Sequence, residues 1–427
     1  MDRIRVIMPD KYDLVVGDTF QLFYRGIIEA PNPFCYDILA VCKKGKGFPR
    51  YFEFTPTEEE EPKLTVSVFD AGKNLLGQAE TTLVVKAPVE NKKPLNILCI
   101  GSSTTAGGQW PGEARRRLAE VGGEPEGLGF KNVNFIGTCG KEDVHFEGYG
   151  GWMWKSYLSI ANNNVWVTVD YNQNTEDQHS IWRDEQGFEW KLETLDIKRL
   201  KFLPYGDNPG KKPEPGRLVH VANAVHTDDI VFSDSYYEKI SPFYDEETDS
   251  ISFKAYCKKL GIEKIDAIYV MLGINGLLDA PGDILDHCAE VVRQAKEFAD
   301  IFHKEFPDGK IKVMGSMMSS VTGGVGWNYG AVLPCCDGHN LRRYILKLNE
   351  HYQAWAKEAE YSDFIEYINI SGQFDCDNAY PEIEKPVNLR SKKTEMIGTN
   401  GVHPLDEGYM QVADAVFRNM VHFCLEN

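Results

Sequence analysis

The sequence lacks several features that would narrow its chemistry at once. Its 10 cysteines form no C-x-x-C pair and its 10 histidines form no H-E-x-x-H pattern, so we predict no metal and no cofactor. No uncharged apolar run approaches the roughly 20 residues that span a bilayer. The amino-terminal segment has no apolar core of the signal-peptide kind. We therefore expect reduced, mostly buried thiols and a cytoplasmic protein.

Positive charge is also scarce. The chain has 46 Lys and Arg against 64 Asp and Glu, a formal net charge of -18. Phosphate binding needs clustered basic residues, so this balance argues against a nucleic-acid partner and against anionic membranes. A neutral small-molecule or oligosaccharide ester fits the charge better than a polyanion. The 427 residues predict more than one domain, and the sequence leaves the oligomeric state open.

The first part of the chain has the pattern of an all-β domain. Short apolar or alternating runs occur at residues 14–16, 20–24, 37–41, 64–69 and 81–85. Turn residues separate these runs, which is typical of a small β-sandwich. We place this domain at residues 1–88 and interpret residues 87–94 as a polar, proline-bounded linker.

A different pattern, in which strands alternate with helices, begins at residue 95. Apolar strands are predicted at residues 95–100, 133–137, 266–272, 311–315 and 364–370. Such near-continuous apolar runs are typical of a parallel sheet covered on both faces. Amphipathic stretches at about 284–305, 340–360 and 409–421 predict the covering helices. We therefore expect a three-layer α/β/α domain over residues 95–427, with a mostly β insertion at about 160–235.

Four segments place polar groups at or near the carboxyl ends of these strands, where sites form in open α/β sheets. The first is residues 101–107, which follows the first strand and presents Ser103 where a helix begins. Backbone N–H groups at such a point favour developing negative charge. A capping Ser or Thr is the simpler explanation of the segment. A phosphate-binding loop is disfavoured because the G-x-x-x-x-G-K-[ST] pattern is missing.

The other three segments are weak when taken singly. Residues 147–152 contain glycines that can bring an N–H to an oxyanion, although a flexible turn explains them equally well. Asn275 ends the third strand with an amide donor, and Asn in a turn usually bonds locally. His403 lies in a polar loop before the last helix, where a fixed imidazole is plausible and a merely structural one is common.

Taken in order, the four segments resemble the conserved blocks of the SGNH (GDSL-like) hydrolase superfamily over about residues 95–424. The resemblance implies a flavodoxin-like α/β/α fold and a serine esterase. Gly101-Ser102-Ser103 matches the first block, which implies that Ser103 is the nucleophile. Residues 400–404 occupy the last block, which implies that His403 is the base that takes the serine proton.

The same resemblance implies an oxyanion hole. Its donors would be the N–H of Ser103, the N–H of Gly151 and the side-chain amide of Asn275. Gly150 is the alternative to Gly151 if the block is shifted by one residue. Losing one such donor typically raises the barrier by about 3–4 kcal/mol.

Three residues depart from the pattern of that superfamily. Ser102 stands where Asp usually precedes the nucleophile, Gly276 replaces the Asp after Asn275, and Asn400 occupies the position of the triad Asp. Only Asn400 concerns the mechanism directly. Either a backbone carbonyl or the Asn400 side-chain carbonyl orients His403, or the protein is a weak or inactive relative. We expect a working Ser-His dyad in which Asn400 takes part.

The substrate is predicted from the same blocks. Residues 147–152 resemble the carbohydrate-esterase branches, and Trp152 and Trp327 are candidates for stacking on sugar rings. We expect O-deacetylation of acetylated carbohydrates through a covalent acyl-enzyme. The alternatives are an acyl hydrolase of the lysophospholipase or thioesterase type and a non-catalytic carbohydrate-binding protein.

Overall fold

A computed structural model of the chain describes residues 4–159, 241–278, 284–320 and 338–427, together with short strands between residues 164 and 233. The amino-terminal strands are β1 (Arg5–Val6), β2 (Lys11–Val15), β3 (Phe20–Phe23), β4 (Ile28–Glu29), β5 (Asp37–Cys42), β6 (Lys46–Gly47), β7 (Tyr51–Phe54), β8 (Lys63–Phe69) and β9 (Leu75–Lys86). Short 3₁₀ turns lie at Tyr24–Gly26 and Pro33–Cys35.

These strands form two larger sheets around a common core. One sheet has the order β2-β9-β8-β5 and the other has the order β3-β7-β6. Alternate residues of β8, such as Leu64 and Val66, are buried and join Phe20 and Phe52 of the second sheet in one hydrophobic cluster. The five predicted runs therefore lie largely in strands, whereas β1, β4, β6 and β7 were missed. Strands β1, β4 and β6 have two residues each, too few to show a period.

The strands and helices of the following region are given in chain order. From residue 95 the strands are β10 (Leu95–Gly101), β11 (Val121–Gly122), β12 (Gly127–Leu128), β13 (Val133–Ile136), β14 (Cys139–Lys141) and β15 (Val144–Gly148). The strands between residues 164 and 233 are β16 (Asn164–Trp166), β17 (Ile181–Arg183), β18 (Glu189–Leu192), β19 (Phe202–Pro204), β20 (Leu218–His220), β21 (Asn223–Val225) and β22 (Val231–Ser233). The later strands are β23 (Tyr244–Asp245), β24 (Ser250–Ile251), β25 (Ala267–Met271), β26 (Lys310–Met314), β27 (Ile365–Ile368), β28 (Glu382–Pro386) and β29 (Thr394–Gly398). The helices are α1 (Ser103–Ala106), α2 (Gln109–Ala119), α3 (Trp154–Tyr157), α4 (Phe253–Leu260), α5 (Ile274–Leu278), α6 (Ile284–Glu305), α7 (Gly338–Trp355) and α8 (Asp406–Glu426), with a 3₁₀ turn at Ser371–Gln373.

The central sheet is parallel apart from one edge hairpin. Strand β10 pairs in parallel with β13 and β15 on one side and with β25 on the other, followed by β26 and β27. Strand β14 pairs antiparallel with β15 at the edge. The mixed α/β fold with a parallel sheet is therefore confirmed. The chain order reverses between β10 and β25, and crevices for ligands open at such a reversal.

The predicted insertion at about 160–235 lies mostly outside the described residues. The parts of it that are described are strands β16–β22, which form small separate sheets. Its status as a subdomain stays a prediction, as do the domain boundaries at residues 88 and 95. Within the described ranges, no helix is long and apolar enough to cross a membrane.

The predicted linker is packed against the sheet. Asn91 is buried, and its Nδ2 donates to the carbonyl of Asn132 at 2.7 Å. A carboxylate oxygen of Glu90 accepts the N–H of Asn132 at 3.0 Å. The polar residues of this segment thus form hydrogen bonds with backbone groups in the loop before β13. In a flexible linker, those backbone groups would bond to water instead.

Helix α8 joins the amino-terminal strands to the central sheet. Arg418 and Arg117 contact the two carboxylate oxygens of Asp18, each at 2.5 Å, and Arg117 also reaches Asp414 at 2.6 Å. Burial opposes the ionisation of Asp18, but the two guanidinium groups outweigh it and lower the pKa of Asp18. Removing one partner of such a buried pair typically costs about 3–5 kcal/mol, so this contact fixes the helix against the strands.

Candidate active site

Ser103 occupies the first turn after the central strand. Strand β10 is almost wholly buried and ends at Gly101, where a Cβ would lie 1.9 Å from Oγ1 of Thr105. The carbonyl of Ser102 then accepts the N–H groups of Thr105 and Ala106, both at 2.9 Å, which starts α1. Glycine at 101 is therefore required for the tight turn that leaves Ser103 half-buried at the carboxyl edge of the sheet.

His403 approaches the same edge from the other end of the chain. It lies in the loop between β29 and α8, and its Nε2 is 2.7 Å from Oγ of Ser103. The buried neighbours Val402 and Pro404 hold this loop against the domain. Burial also lowers the pKa of His403 below its usual value of about 6.5, because it disfavours the charged imidazolium. The structure thus brings the predicted nucleophile and base together, with a neutral imidazole at neutral pH.

The third predicted member, Asn400, contacts His403 through its amide nitrogen. Its Oδ1 accepts the N–H groups of Val402 and His403, both at 2.9 Å. Its Nδ2 lies 3.3 Å from Nδ1 of His403. Exchanging the oxygen and nitrogen would set the NH₂ group against two N–H donors, so the hydrogen bonds fix the assignment. Of the two alternatives for orienting His403, the one in which the side-chain carbonyl of Asn400 accepts a proton from the ring is therefore contradicted.

This orientation determines which ring nitrogen carries the proton. Nδ1 of His403 faces an N–H donor, so in the neutral ring Nδ1 is the acceptor and the proton lies on Nε2. Nε2 then donates to Ser103, whereas a general base must accept from it. In serine proteases, replacing the orienting Asp by Asn lowers turnover by about 10⁴ through the same inversion of tautomer. Asn400 therefore disfavours the tautomer of His403 that could accept the proton of Ser103.

The glycine-containing segment forms a turn beside the nucleophile strand. Strand β15 ends at Gly148, and the N–H of Trp152 then bonds to the carbonyl of Tyr149 at 3.2 Å. Gly151 has φ +75° at the third position of this turn, as a type II turn requires. A Cβ there would meet no atom within 4 Å, so the backbone conformation alone favours glycine.

Asn275 is tied to this turn by its side chain. It is buried in α5, and its Nδ2 donates to the carbonyl of Trp152 at 3.0 Å. Gly273 precedes it with φ +118°, where a Cβ would lie 2.5 Å from Oη of Tyr352. The three predicted oxyanion donors therefore lie in the segments that follow β10, β15 and β25. The last two of these segments are joined by the hydrogen bond from Asn275 to Trp152.

The two predicted sugar-binding tryptophans have different outcomes. Trp152 is 5% exposed, and the centroid of its ring lies 4.1 Å from that of Tyr149 and 4.7 Å from that of Tyr157. A ring enclosed in this way presents no face to a sugar, so the predicted stacking role of Trp152 is wrong. Trp327 lies outside the described residues.

A buried carboxylate with no predicted role lies behind the turn. Glu147 is fully buried, and its Oε1 accepts the N–H of Thr138 at 2.7 Å and the hydroxyl of Tyr256 at 2.6 Å. Its Oε2 accepts the hydroxyl of Thr138 at 3.0 Å and that of Tyr149. Burial raises the pKa of Glu147 even though these four donors favour the ionised form. Hydroxyl and N–H donors thus surround the carboxyl on both oxygens.

Tyr157 extends this cluster to the nucleophile strand. Its Oη lies 2.7 Å from the carbonyl of Gly101 and 2.9 Å from that of Glu147, so its single proton serves both strand ends. The cluster therefore joins the turn before Ser103 to the glycine-containing turn. The only sequence signal was a carboxylate between Phe146 and Gly148, in the segment that forms β15.

A small cavity lies between the segments that carry Ser103 and His403. It holds about 20 Å³ and is bordered by Thr104 and Val402, the neighbours of those two residues. The other described wall residues are mostly apolar and are Met271, Leu272, Ile274, Ser316, Met317, Ile345, Tyr380 and Gly401. A volume of this size accepts about one water-sized group. In the same parts of the chain, no cluster of three or more His, Cys, Asp or Glu could hold a metal ion.

No family model and no curated protein matches the chain. Among solved structures it is similar to a carbohydrate esterase family 3 from Talaromyces cellulolyticus, with 12% identity over 78% of this chain and 99% of that one and a TM-score of 0.37. It is also similar to a mutant acetyl esterase solved with an acetate ion, at 12% identity over 78% and 99% of the two chains and a TM-score of 0.35. A carbohydrate esterase family 2 enzyme with a carbohydrate binding domain, from Corynascus thermopiles (Myceliophthora fergusii), is 11% identical over 99% and 100%, with a TM-score of 0.30.

The structural neighbours therefore include carbohydrate esterases and acetyl esterases, the branch that the sequence blocks resemble.

Proposed function

We propose that the chain is a serine hydrolase of carboxylic esters that works through a covalent acyl-enzyme. The observation that carries this proposal is the 2.7 Å contact between Oγ of Ser103 and Nε2 of His403 at the carboxyl edge of the parallel sheet. A neutral serine is a poor nucleophile, and an adjacent imidazole that takes its proton is the usual means of activation. The low pKa of His403 keeps that imidazole neutral at physiological pH.

The reaction then follows from the positions of the groups. In the minor tautomer of the ring, with the proton on Nδ1, Nε2 of His403 takes the proton of Ser103 as Oγ attacks the ester carbonyl, and the alcohol leaves after receiving that proton. Water hydrolyses the acyl-enzyme by the same route in reverse. The N–H groups of Ser103 and Gly151 and the amide of Asn275 would stabilise the oxyanion. The cluster around Glu147 positions the two turns that carry the first two donors.

We further propose that the acyl group is short, with acetylated carbohydrates as the substrate class. The cavity beside Thr104 and Val402 has room for only about one water-sized group, which supports a short acyl group over a long acyl chain. This favours a deacetylase over the lysophospholipase or thioesterase type. The formal charge of -18 supports a neutral ester in preference to a polyanionic one.

The amino-terminal strands fit a β-sandwich accessory domain at residues 1–88, with the hydrolase domain at residues 95–427. Two sheets with one shared core support the sandwich interpretation. The buried contacts of Asp18 with Arg117 and Arg418 support a structural role in fixing α8.

One observation favours a second candidate, a non-catalytic carbohydrate-binding protein. The NH₂ group of Asn400 faces Nδ1 of His403 and opposes the tautomer that catalysis needs. In that case Ser103 and His403 would serve as hydrogen-bonding groups for a sugar, and no ester bond would be broken.

Reaction with a fluorophosphonate probe separates the two candidates. We expect slow labelling of Ser103, and no labelling of the Ser103→Ala variant, together with faster hydrolysis of acetylated xylan fragments than of long-chain acyl esters. Absence of labelling in a folded protein that still binds xylan fragments would favour the binding protein. Faster turnover of long acyl chains would overturn the acetyl assignment.

A further inference from the structure

Asn400, the residue that disfavours the active tautomer of His403, is followed by a glycine. Asn400 precedes Gly401, and both lie in the loop that carries His403. Glycine has no Cβ, so its backbone nitrogen offers the least hindrance to attack on a preceding side chain. The side-chain oxygen of Asn400, Oδ1, accepts hydrogen bonds from the N–H groups of Val402 and His403, both at 2.9 Å. Two donors on one carbonyl oxygen stabilise the negative charge that develops there during nucleophilic attack.

We propose that Asn400 is a deamidation site and that the aspartate formed there completes a Ser-His-Asp triad. The inference rests on the proposed esterase function. It makes the chain, as synthesised, a weak enzyme whose activity increases through a slow chemical change of its own loop. The reaction needs only water as a co-reactant and releases ammonia.

The covalent step has two stages. The backbone nitrogen of Gly401 loses its proton and bonds to Cγ of Asn400, the Cγ–Nδ2 bond breaks, and ammonia leaves with a succinimide ring behind it. Water then adds at Cγ and breaks the new Cγ–N bond, which restores the main chain and leaves a side-chain carboxylate. Opening at the main-chain carbonyl instead gives isoaspartate, which displaces the carboxylate from its useful position.

The surroundings of Asn400 suit both the reaction and its product. The N–H groups of Val402 and His403 polarise Oδ1 of Asn400, and the proton lost by Gly401 reaches the departing Nδ2 through water, because Nδ1 of His403 is the acceptor in its 3.3 Å contact with Nδ2. In the product, one oxygen keeps the N–H groups of Val402 and His403. The other oxygen takes the place of Nδ2 and accepts a proton from Nδ1. The tautomer then reverses, and Nε2 becomes free to accept the proton of Ser103.

The test follows one preparation of the full chain over time. Freshly purified protein is held at mildly alkaline pH, and aliquots are taken for peptide mapping that separates asparagine, aspartate and isoaspartate at position 400. The same aliquots are assayed with an aryl acetate. We expect the rate to rise in proportion to the normally linked aspartate, toward a gain of about 10²–10⁴-fold.

Three variants serve as controls. Asn400→Asp should start near the final rate and show no increase. Ser103→Ala should convert at position 400 without gaining activity. Asn400→Gln, whose longer side chain does not form the five-membered ring, should stay slow throughout.

Two results would overturn the proposal while leaving the esterase function intact. One is an Asn400 that remains amidated while Asn400→Asp is active. The other is conversion to normally linked aspartate without a rise in rate beside an active Asn400→Asp variant. A folded Asn400→Asp variant that hydrolyses no ester would instead reject the proposed function, and this inference with it.

Discussion

Helix α8 has a histidine near each end, and the two differ in what faces their rings. His422, in its last turns, has Nε2 2.8 Å from the carbonyl of Leu14 and Nδ1 3.3 Å from a carboxylate oxygen of Asp13. His403, just before its first turn, has Nε2 2.7 Å from the Ser103 hydroxyl and Nδ1 3.3 Å from the NH₂ of Asn400. The buried structural histidine therefore faces oxygen acceptors on both sides, whereas the candidate catalytic one faces an N–H donor.

The difference shows that the distance between nucleophile and imidazole is a poor guide to activity on its own. The 2.7 Å contact at Ser103 is compatible with either direction of proton donation. The direction depends on the atom at the opposite ring nitrogen. A carboxylate lies at that nitrogen in His422, where no reaction is expected.

The largest effect is expected from removing the nucleophile. Ser103→Ala should abolish ester hydrolysis and fluorophosphonate labelling, with a loss of up to about 10⁶ in kcat on the scale of other serine hydrolases. The loss is best measured in the Asn400→Asp background, where the starting rate is higher. Ser102→Ala is the matched control, because the Ser102 hydroxyl is buried and has no hydrogen-bond partner among the described residues. Equal losses in both variants would point to a folding defect.

The next effect should come from giving His403 the acceptor that His422 has. Asn400→Asp should raise kcat by about 10²–10⁴-fold, because a carboxylate accepts from Nδ1 and reverses the tautomer. Steady-state kinetics on an aryl acetate measures the gain. KM should change little, since Asn400 contacts the base through Nδ1. An unchanged kcat would mean that another group already orients His403.

The reverse substitution beside His422, from aspartate to asparagine at position 13, should affect stability alone. Asp13 accepts Nδ2 of Asn419 at 2.7 Å and contacts His422. Asp13→Asn removes the charge and should lower the free energy of unfolding by about 1–3 kcal/mol. The shift in urea midpoint at constant slope measures this loss. The ester hydrolysis rate of the folded variant should stay at its starting value, and a parallel fall would mean that the two ends of α8 are coupled.

The smallest effect concerns the acid limb of the pH–rate profile. The base must be uncharged, so the rate rises as pH increases through the pKa of His403. Burial lowers that pKa, which places the midpoint below about 6.5. In Asn400→Asp the carboxylate favours the imidazolium, so the midpoint should move to higher pH. A downward move would contradict the assignment of His403 as base.

Much of the fold was predictable because continuous apolar runs and periodic apolar faces both report burial. The five predicted strands of the central sheet lie within one or two residues of the observed ones, and the last helix was predicted from its apolar face. Glu147 could not be placed in the same way. Its role depends on Thr138 and Tyr256, which reach it from other segments. The burial of Trp152 likewise depends on Tyr157, a neighbour that the type of residue alone does not reveal.

The sequence by itself determined which residue types stand at the strand ends, including Ser103, Asn275, Asn400 and His403, and their order along the chain. Only the tertiary structure decided that Ser103 and His403 meet across 300 residues and that Asn400 turns its nitrogen toward the ring. The physical reason is that the direction of an amide is set by the N–H groups around it. Those positions exist only after the loop has folded against the sheet.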